Sequence, residues 1–269
     1  MARMEPFRGW RYRISQPSDL TQLITPPYDV IPADRRRALA ASHPHNFVHL
    51  ILPQAEGTLD AYAHAARLLG DWRRDGVLVQ DERPSLTLHR ESYVLEDGRR
   101  ITRTGLIGLL PLPDSPDRQV LSHETTFSGP RRDRERLMEE VEAHLSPIFM
   151  LAPDTEGRLE AAMSSIRTPG DSFTDQDGIR HEVAVLSDPE LVEQLCAVLG
   201  EGDLIIADGH HRYESARAVH HKRRASAGPG DAGVQGAGRI LVEVVSLASP
   251  GLTVLPTHRL VAGLDGFDP

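Results

Sequence analysis

Apolar and polar positions follow two periods along this chain, and each period predicts a different kind of element. Short apolar runs over 46–52, 147–151 and 239–247 are typical of buried strands. Over 58–74, apolar residues instead recur at spacings of three and four, as on one face of a helix. The inward face of that helix would carry Leu59, Tyr62, Ala66 and Leu69.

Turn residues between extended segments predict two β-hairpins. Glu96-Asp97-Gly98 separates the segments 85–95 and 100–112. Asp177-Gly178 lies inside a second extended region, 171–186. Hairpins mixed with single strands and helices indicate an antiparallel component in the sheet.

Three further helices are predicted at 33–41, 131–144 and 189–199. The last has Pro189 in its first turn and a capping box from Ser187 to Glu190. Strands, helices and hairpins alternate irregularly and no repeat is present. This order favours a single α+β domain over 1–269, with a mixed sheet and flanking helices.

The strongest candidate for chemistry is a strand, a glycine turn and a helix within 204–214. An apolar run predicts a strand that ends at Asp208, and Gly209 follows it. A helix N-terminus presents free N–H groups and partial positive charge, so it can hold an anion. His210, His211 and Arg212 add two imidazoles and a guanidinium beside it. We therefore expect an anion or metal site here. The alternative is an ordinary Asp-Gly turn before a solvent-facing helix.

A second candidate is the stiff segment from Pro26 to Pro32. Proline fixes the backbone around Tyr28 and Asp29, so the carboxylate of Asp29 can be held immobile in a cleft. A rigid turn without chemistry explains the same residues. The segment therefore predicts an extended backbone and leaves the role of Asp29 open.

A third candidate is His123-Glu124, which follows a strand predicted at 119–121. An acid beside an imidazole suits proton transfer or a divalent ion. The metalloprotease pattern HExxH fails because Phe127 occupies the second histidine position. A loop with a threonine cap is the alternative.

The remaining histidines are less informative. His258-Arg259 ends an extended segment predicted at 252–261 and is a further candidate for the site. His220 and His221 are expected to be solvated. His43, His45 and His49 resemble a metal cluster only in number, since no common face is implied.

Composition excludes several classes of protein. The net charge of −9 argues against binding a nucleic-acid backbone. Lys222 is the only lysine, so a GxxxxGK[ST] phosphate loop is absent. Cys196 is the only cysteine and is expected to be a buried thiol rather than a nucleophile. The stretch 226–238 is of low complexity and predicts a mobile loop or lid. With no membrane span or signal core in the sequence, we expect a cytoplasmic protein.

Six short motifs, in order along the chain, resemble a known family. They are Pro26-Pro27-Tyr28-Asp29-Val30-Ile31, His43-Pro44-His45-Asn46-Phe47, His123-Glu124-Thr125 with Asp133-Arg134, Ser146-Pro147-Ile148-Phe149, Ala207 to Glu214, and Pro256-Thr257-His258-Arg259. The chain resembles the bacterial and archaeal family known as domain of unknown function 1015, often labelled SerK-like. Members usually continue beyond the last motif, so we expect a fragment or a naturally shortened member.

The motif around Gly209 is also similar to the phosphate-binding motif of the ParB/sulfiredoxin superfamily, which includes free-serine kinases. That similarity implies a strand–turn–helix core in which Gly209, His210, His211 and Arg212 hold nucleotide phosphates. It implies that Asp208 acts as a base or magnesium ligand, with Asp29 or Glu124 as a second acid. We add His211 to the catalytic candidates and His123 to those for phosphate. Candidate substrate-binding residues are Tyr28, Tyr213, Glu214, His258 and Arg259.

The leading hypothesis is a small-molecule phosphotransferase that uses ATP or ADP with magnesium. Its acceptor would be the hydroxyl of serine or a similar metabolite. Two alternatives stay open: a nucleotide-binding regulator without turnover, and a metal-dependent hydrolase that uses His123, Glu124, His210 and His211. The acceptor, the nucleotide and the oligomeric state are not specified by the sequence. No nucleic-acid or membrane partner is expected.

Overall fold

The structure is a computed structural model that describes residues 3–112, 120–123, 128–200, 202–226 and 236–254. Its centre is an eight-stranded sheet in the order β5-β9-β6-β10-β4-β3-β8-β7, and β1 and β2 form a separate pair. The strands are β1 Trp10–Tyr12, β2 Leu78–Gln80, β3 Leu86–Val94, β4 Arg100–Pro111, β5 Val120–Leu121, β6 Ile148–Ala152, β7 Asp171–Thr174, β8 Arg180–Leu186, β9 Leu204–Asp208 and β10 Arg239–Ser246.

The sheet is mixed. β10 pairs in parallel with β6 and β5 with β9, while the other neighbours are antiparallel. The predicted hairpins are confirmed as β3–β4 and β7–β8. Helices flank this sheet, so the α+β class is confirmed. They are α1 Leu20–Leu23, α2 Ala33–Ser42, α3 Val48–Ile51, α4 Ala61–Arg74, α5 Ser128–Val141, α6 Arg158–Ser165, α7 Pro189–Leu199 and α8 His210–Ser226.

The main core lies on one face of the sheet. Alternate residues of the central strands, such as Leu88, Leu106 and Val242, are at most 1% exposed there. Side chains of α6, α7 and α8 complete this core. Cys196 of α7 is among them, as predicted, and burial raises the pKa of its thiol. A second core lies between α3, α4 and α5, where Leu50, Leu69 and Leu137 are buried. The α5 helix thereby links α4 to α8.

The strand predicted over 46–52 is wrong, because Val48–Ile51 forms the short helix α3. The amide N–H of Val48 donates to Oδ1 of Asn46 over 2.9 Å. The side-chain amide of Asn46 in turn donates to the carbonyl of Gln22 over 2.8 Å. Asn46 thus starts a helical turn that the apolar pattern alone could not distinguish from a strand.

Two smaller predictions are also corrected. Asp188, and not Ser187, caps α7, because its carboxylate accepts from the N–H groups of Glu190 and Leu191. His220 is 7% exposed rather than solvated, since it lies on the inner side of α8. Most of the low-complexity stretch 226–238 and of the segment 252–261 lies outside the described residues, and 252–254 form no strand. Within the described ranges, no helix is long and apolar enough to cross a bilayer.

Candidate functional site

The β9–α8 corner is defined as Asp208 to Arg212, and a single glycine forms its turn. The β9 strand ends at Asp208 and α8 begins at His210. Gly209 between them has φ of +95°, which residues with a side chain rarely adopt. A Cβ at this position would lie 3.0 Å from the guanidinium carbon of Arg212. The predicted strand–turn–helix is confirmed, and both backbone and packing require glycine.

Arg212 fixes the corner from the inside. The residue is 9% exposed. Its guanidinium donates to the carbonyl of Pro147, to the carboxylate of Asp208 and, over 3.2 Å, to the hydroxyl of Ser146. The side chain of Asp208 remains 53% exposed. Arg212 therefore holds an acid that faces solvent, and ties it to the turn that precedes β6.

The rigid N-terminal segment reaches the same place. The extended backbone predicted for 26–32 is wrong at Tyr28–Val30, which form a short 3-10 turn. The guanidinium carbon of Arg134 lies 4.2 Å from the centre of the Tyr28 ring. This is a cation–π distance. Burial raises the pKa of the Tyr28 phenol, and nearby charges act on it in both directions. Those charges belong to Arg134, Asp29, Arg212 and Asp208. Residues far apart in sequence are thus neighbours, and Asp29 is exposed among them.

Arg134 anchors this neighbourhood to three helices. It is 8% exposed and donates to the carbonyl of Ile51 over 2.8 Å. It also pairs with Asp133, whose other carboxylate oxygen accepts from the hydroxyl of Tyr62 over 2.8 Å. A charge-assisted network of this kind holds a guanidinium in one position.

An open cleft of about 470 Å³ adjoins Arg134. This volume is in the range of small-molecule sites. Two more arginines of α2, Arg36 and Arg37, line it together with Gln54. A second cavity of about 40 Å³ lies between Arg134 and Arg212. Arg134 thus lines both the cleft and the smaller cavity.

His123 also reaches the corner. Its ring centroid lies 4.6 Å from that of His210, and the rings are nearly perpendicular at 89°. His123 is exposed, whereas His210 is 4% exposed. His211 is half-buried, and its carbonyl accepts from the hydroxyl of Ser215 over 2.7 Å. Glu124, His258 and Arg259 lie outside the described residues.

The two candidates that follow Arg212 lie farther along α8. Tyr213 is 5% exposed within the main core, and burial raises the pKa of its phenol. Glu214 is paired with Arg217 at 3.2 Å. Tyr213 thus packs inward, and Glu214 lies on the side of the helix that carries Arg217.

Sequence reasoning missed the cleft arginines and one further cluster. Within the described ranges, only His89, Glu91 and His181 bring three potential metal-ligand atoms within 4.8 Å of one another. The histidines at 43, 45 and 49 do not. The sequence places His89 and Glu91 on the same face of a predicted strand. Their partner His181 lies on another strand, and its position opposite Glu91 depends on the register of the sheet.

Comparison with known proteins identifies the family. No curated protein and no solved structure matches the chain significantly. A family model described as a protein of unknown function, DUF1015, matches residues 4–269. The resemblance carried by the six motifs is thereby confirmed at the level of the family. Since the match spans nearly all of the sequence, this chain belongs to the DUF1015 family.

Proposed function

We propose that this protein is a nucleotide-dependent phosphotransferase that acts on the hydroxyl of a small metabolite such as free serine. The observation that carries the proposal is the convergence of the Tyr28–Asp29 turn, Arg134 and the β9–α8 corner beside an arginine-lined cleft. Phosphoryl transfer depends mostly on positioning and on neutralising charge. The SerK-like label and the similarity to the ParB/sulfiredoxin superfamily imply the same chemistry for the corner.

The basic groups are suited to bind phosphates. Arg36 and Arg37 line the cleft, and Arg134 connects it to the corner. At the corner, the partial positive charge of the α8 N-terminus favours an anion, and His210 and His211 lie in its first turn. A chain of phosphates lying from the cleft to the helix N-terminus would pass Arg36, Arg37 and Arg134, with Asp133 already paired to Arg134. No phosphate-loop lysine is needed, since guanidinium groups bind phosphate as well.

The two acids have different surroundings, which favours different roles. Asp208 is fixed by Arg212, so it suits a stationary role as a ligand for magnesium, an ion that also neutralises phosphate charge. Asp29 is exposed on a rigid turn and suits the role of base. As the acceptor oxygen bonds to the terminal phosphorus, Asp29 takes the hydroxyl proton. The bond from phosphorus to the bridging oxygen breaks, and the shortened nucleotide leaves with that electron pair.

Incubation with terminally labelled ATP or ADP, magnesium and a panel of hydroxyl amino acids tests this proposal. We expect labelled acceptor from the unmodified chain and a loss of about 100-fold or more in Asp29→Asn and Asp208→Asn. Asp97→Asn is the matched control, because Asp97 lies in the exposed β3–β4 turn, paired with Arg99. Saturable nucleotide binding without labelled acceptor would overturn the proposal in favour of a regulator. Hydrolysis of the panel compounds that needs a bound metal would favour a hydrolase.

The phosphate cradle has its own test. In the double variant His210→Asn and His211→Asn, we expect nucleotide affinity measured by calorimetry to fall about 10-fold, with the circular dichroism spectrum unchanged. His221→Asn, on the exposed far part of α8, should bind as the unmodified chain does. Unchanged affinity in the double variant would remove the histidines from the cradle.

A further inference from the structure

The histidine cluster, defined as His89, Glu91 and His181, lies in the antiparallel half of the sheet, away from the β9–α8 corner. His89 and Glu91 are two positions apart on β3 and therefore share a face, opposite to the core residue Leu88. His181 of β8 pairs directly with Glu91 across the ladder. The register of the sheet, not proximity in sequence, thus brings the three side chains together.

Each imidazole is held by a carboxylate on its outer nitrogen. Nδ1 of His89 lies 2.9 Å from Glu243 on β10, and Nε2 of His181 lies 3.2 Å from Asp175. A carboxylate only accepts hydrogen bonds, so each outer nitrogen carries a proton, and a neutral ring has no second proton for its inner nitrogen. The inner nitrogens then both present lone pairs. They lie only 3.0 Å apart.

A third electron-pair donor faces the same point. Oε1 of Glu91 lies 3.9 Å from Nε2 of His89 and 3.7 Å from Nδ1 of His181. Its other oxygen, Oε2, accepts from Arg103 and is not available. With both rings neutral, three electron-pair donors converge with no hydrogen between them, and such an arrangement is stabilised only by a shared cation or proton.

We propose that His89, Glu91 and His181 bind a divalent transition-metal ion, and that the donor set selects zinc. The point equidistant from the three atoms lies about 2.1 Å from each, which matches Zn–N and Zn–O bond lengths. Two imidazoles and one carboxylate are a ligand set of catalytic zinc, with the fourth position open. Side chains of His89 and Glu91 remain 15% and 18% exposed, so water or a small anionic ligand can reach that position.

The surroundings of the cluster favour a cation. Its described contacts include three carboxylates, those of Glu91, Glu243 and Asp175, and one guanidinium, that of Arg103 on Glu91, so a divalent ion balances the remaining charge. Carboxylates on the outer nitrogens of ligating imidazoles fix the tautomer and increase ligand basicity. The ring of Phe173 stacks on His181 with centroids 5.0 Å apart.

Glycine makes room for this second layer of contacts. A Cβ at Gly105 of β4 would lie 2.4 Å from Oε1 of Glu243, the atom that holds His89. Only glycine at this position lets Glu243 reach across β4 to β3. The support for His89 is therefore specified by the backbone as well as by the side chains.

Metal binding by the full chain tests this proposal. After removal of metals with a chelator, titration with Zn²⁺ in a calorimeter should show one equivalent bound. We expect Glu91→Gln and His89→Gln to weaken binding about 100-fold or more, and Glu243→Gln to weaken it about 10- to 100-fold. His221→Gln is the matched control and should bind as the unmodified chain does. Thermal unfolding of the metal-free variants shows whether each still folds.

Cobalt supplies a second measurement that a surface histidine would not reproduce. Co²⁺ bound by two nitrogens and a carboxylate should give visible absorption typical of low coordination number, and Glu91→Gln should abolish it. If Fe²⁺ binds the same residues more tightly than Zn²⁺, the metal site is supported, and iron rather than zinc is its metal. The proposal is overturned if metal uptake is absent or is equal in the unmodified chain and Glu91→Gln. The imidazoles would then share a proton.

Discussion

The β9–α8 corner and the histidine cluster hold charged side chains in opposite ways. Around the corner, Asp208 pairs with Arg212 and Asp133 pairs with Arg134. At the histidine cluster, the carboxylates of Glu91, Glu243 and Asp175 lie around two imidazoles, and Arg103 pairs with Glu91. Arginines thus offset these two acids around the corner, whereas carboxylates are in excess among the described contacts of the cluster. The proposed phosphate site and the proposed metal site therefore differ in charge, and variants of each should separate them.

The largest effect is expected from Gly105→Ala in the histidine cluster. The new methyl group would overlap the carboxylate of Glu243, which is 9% exposed and bonded to His89, so this contact must shift. We expect a loss of about 3 kcal/mol in the free energy of unfolding, measured by urea denaturation. Gly70→Ala is the control, because nothing lies within 4 Å of that exposed helical position, and it should stabilise by about 1 kcal/mol. Equal stability of the two variants would contradict the packing around Glu243.

The corresponding change at the corner is Arg212→Met. It keeps much of the buried volume but removes the donors to the carbonyl of Pro147 and to Asp208. A partly buried carbonyl that loses its partner is costly, so we expect a loss of about 2 kcal/mol. Arg223→Met, which breaks an exposed pair with Glu142, should cost less than about 0.5 kcal/mol. A larger effect at Arg223 would reverse the ranking of buried and exposed pairs.

Gly209→Ala should have a smaller effect on stability than Arg212→Met. The positive φ strains any side chain, while the guanidinium carbon 3.0 Å away has some freedom to shift. We expect a loss of about 1.5 kcal/mol. Metal uptake by the histidine cluster should not change. A loss of metal in this variant would show that the two sites are coupled rather than independent.

The smallest effect concerns pH at the corner. His144 lines the cavity beside Arg212, and burial lowers the pKa of its imidazole from 6.5. Because the unfolded chain binds this proton more readily, stability should decrease as pH falls below about 6.5. The decrease ends once the folded imidazole is protonated. In His144→Gln the urea midpoint should depend less on pH in this range. An unchanged pH profile would exclude His144 as its source.

The sequence predicted features that depend on neighbouring residues. The hairpins and α7 follow from local patterns and turns, and the strand–turn–helix around Gly209 follows from one contiguous motif. To predict that Tyr28 and Arg212 belong to one site, the family resemblance was needed as well as local chemistry. The histidine cluster was missed because its members sit on two strands whose register no local pattern encodes. The pairing of β1 with β2 was missed for the same reason, since each has only three residues.

The helix α3 illustrates a different limit. The apolar run that contains α3 is too short to show a helical or a strand period. Strand and helix are therefore equally compatible with it. The helical conformation is determined by Asn46, whose side-chain amide donates to backbone carbonyls near α1. A tertiary contact, and not local preference, determines this element.

The position of β10 has a consequence for protein synthesis. It is translated after every other described strand, yet it lies between β6 and β4 near the middle of the sheet. A nascent chain that ends before Arg239 contains β5-β9-β6 and β4-β3-β8-β7 as two half-sheets, each with an open edge. Open edges invite pairing with other chains. Until Arg239–Ser246 emerges and joins the two halves, these edges are therefore open to pairing with another chain.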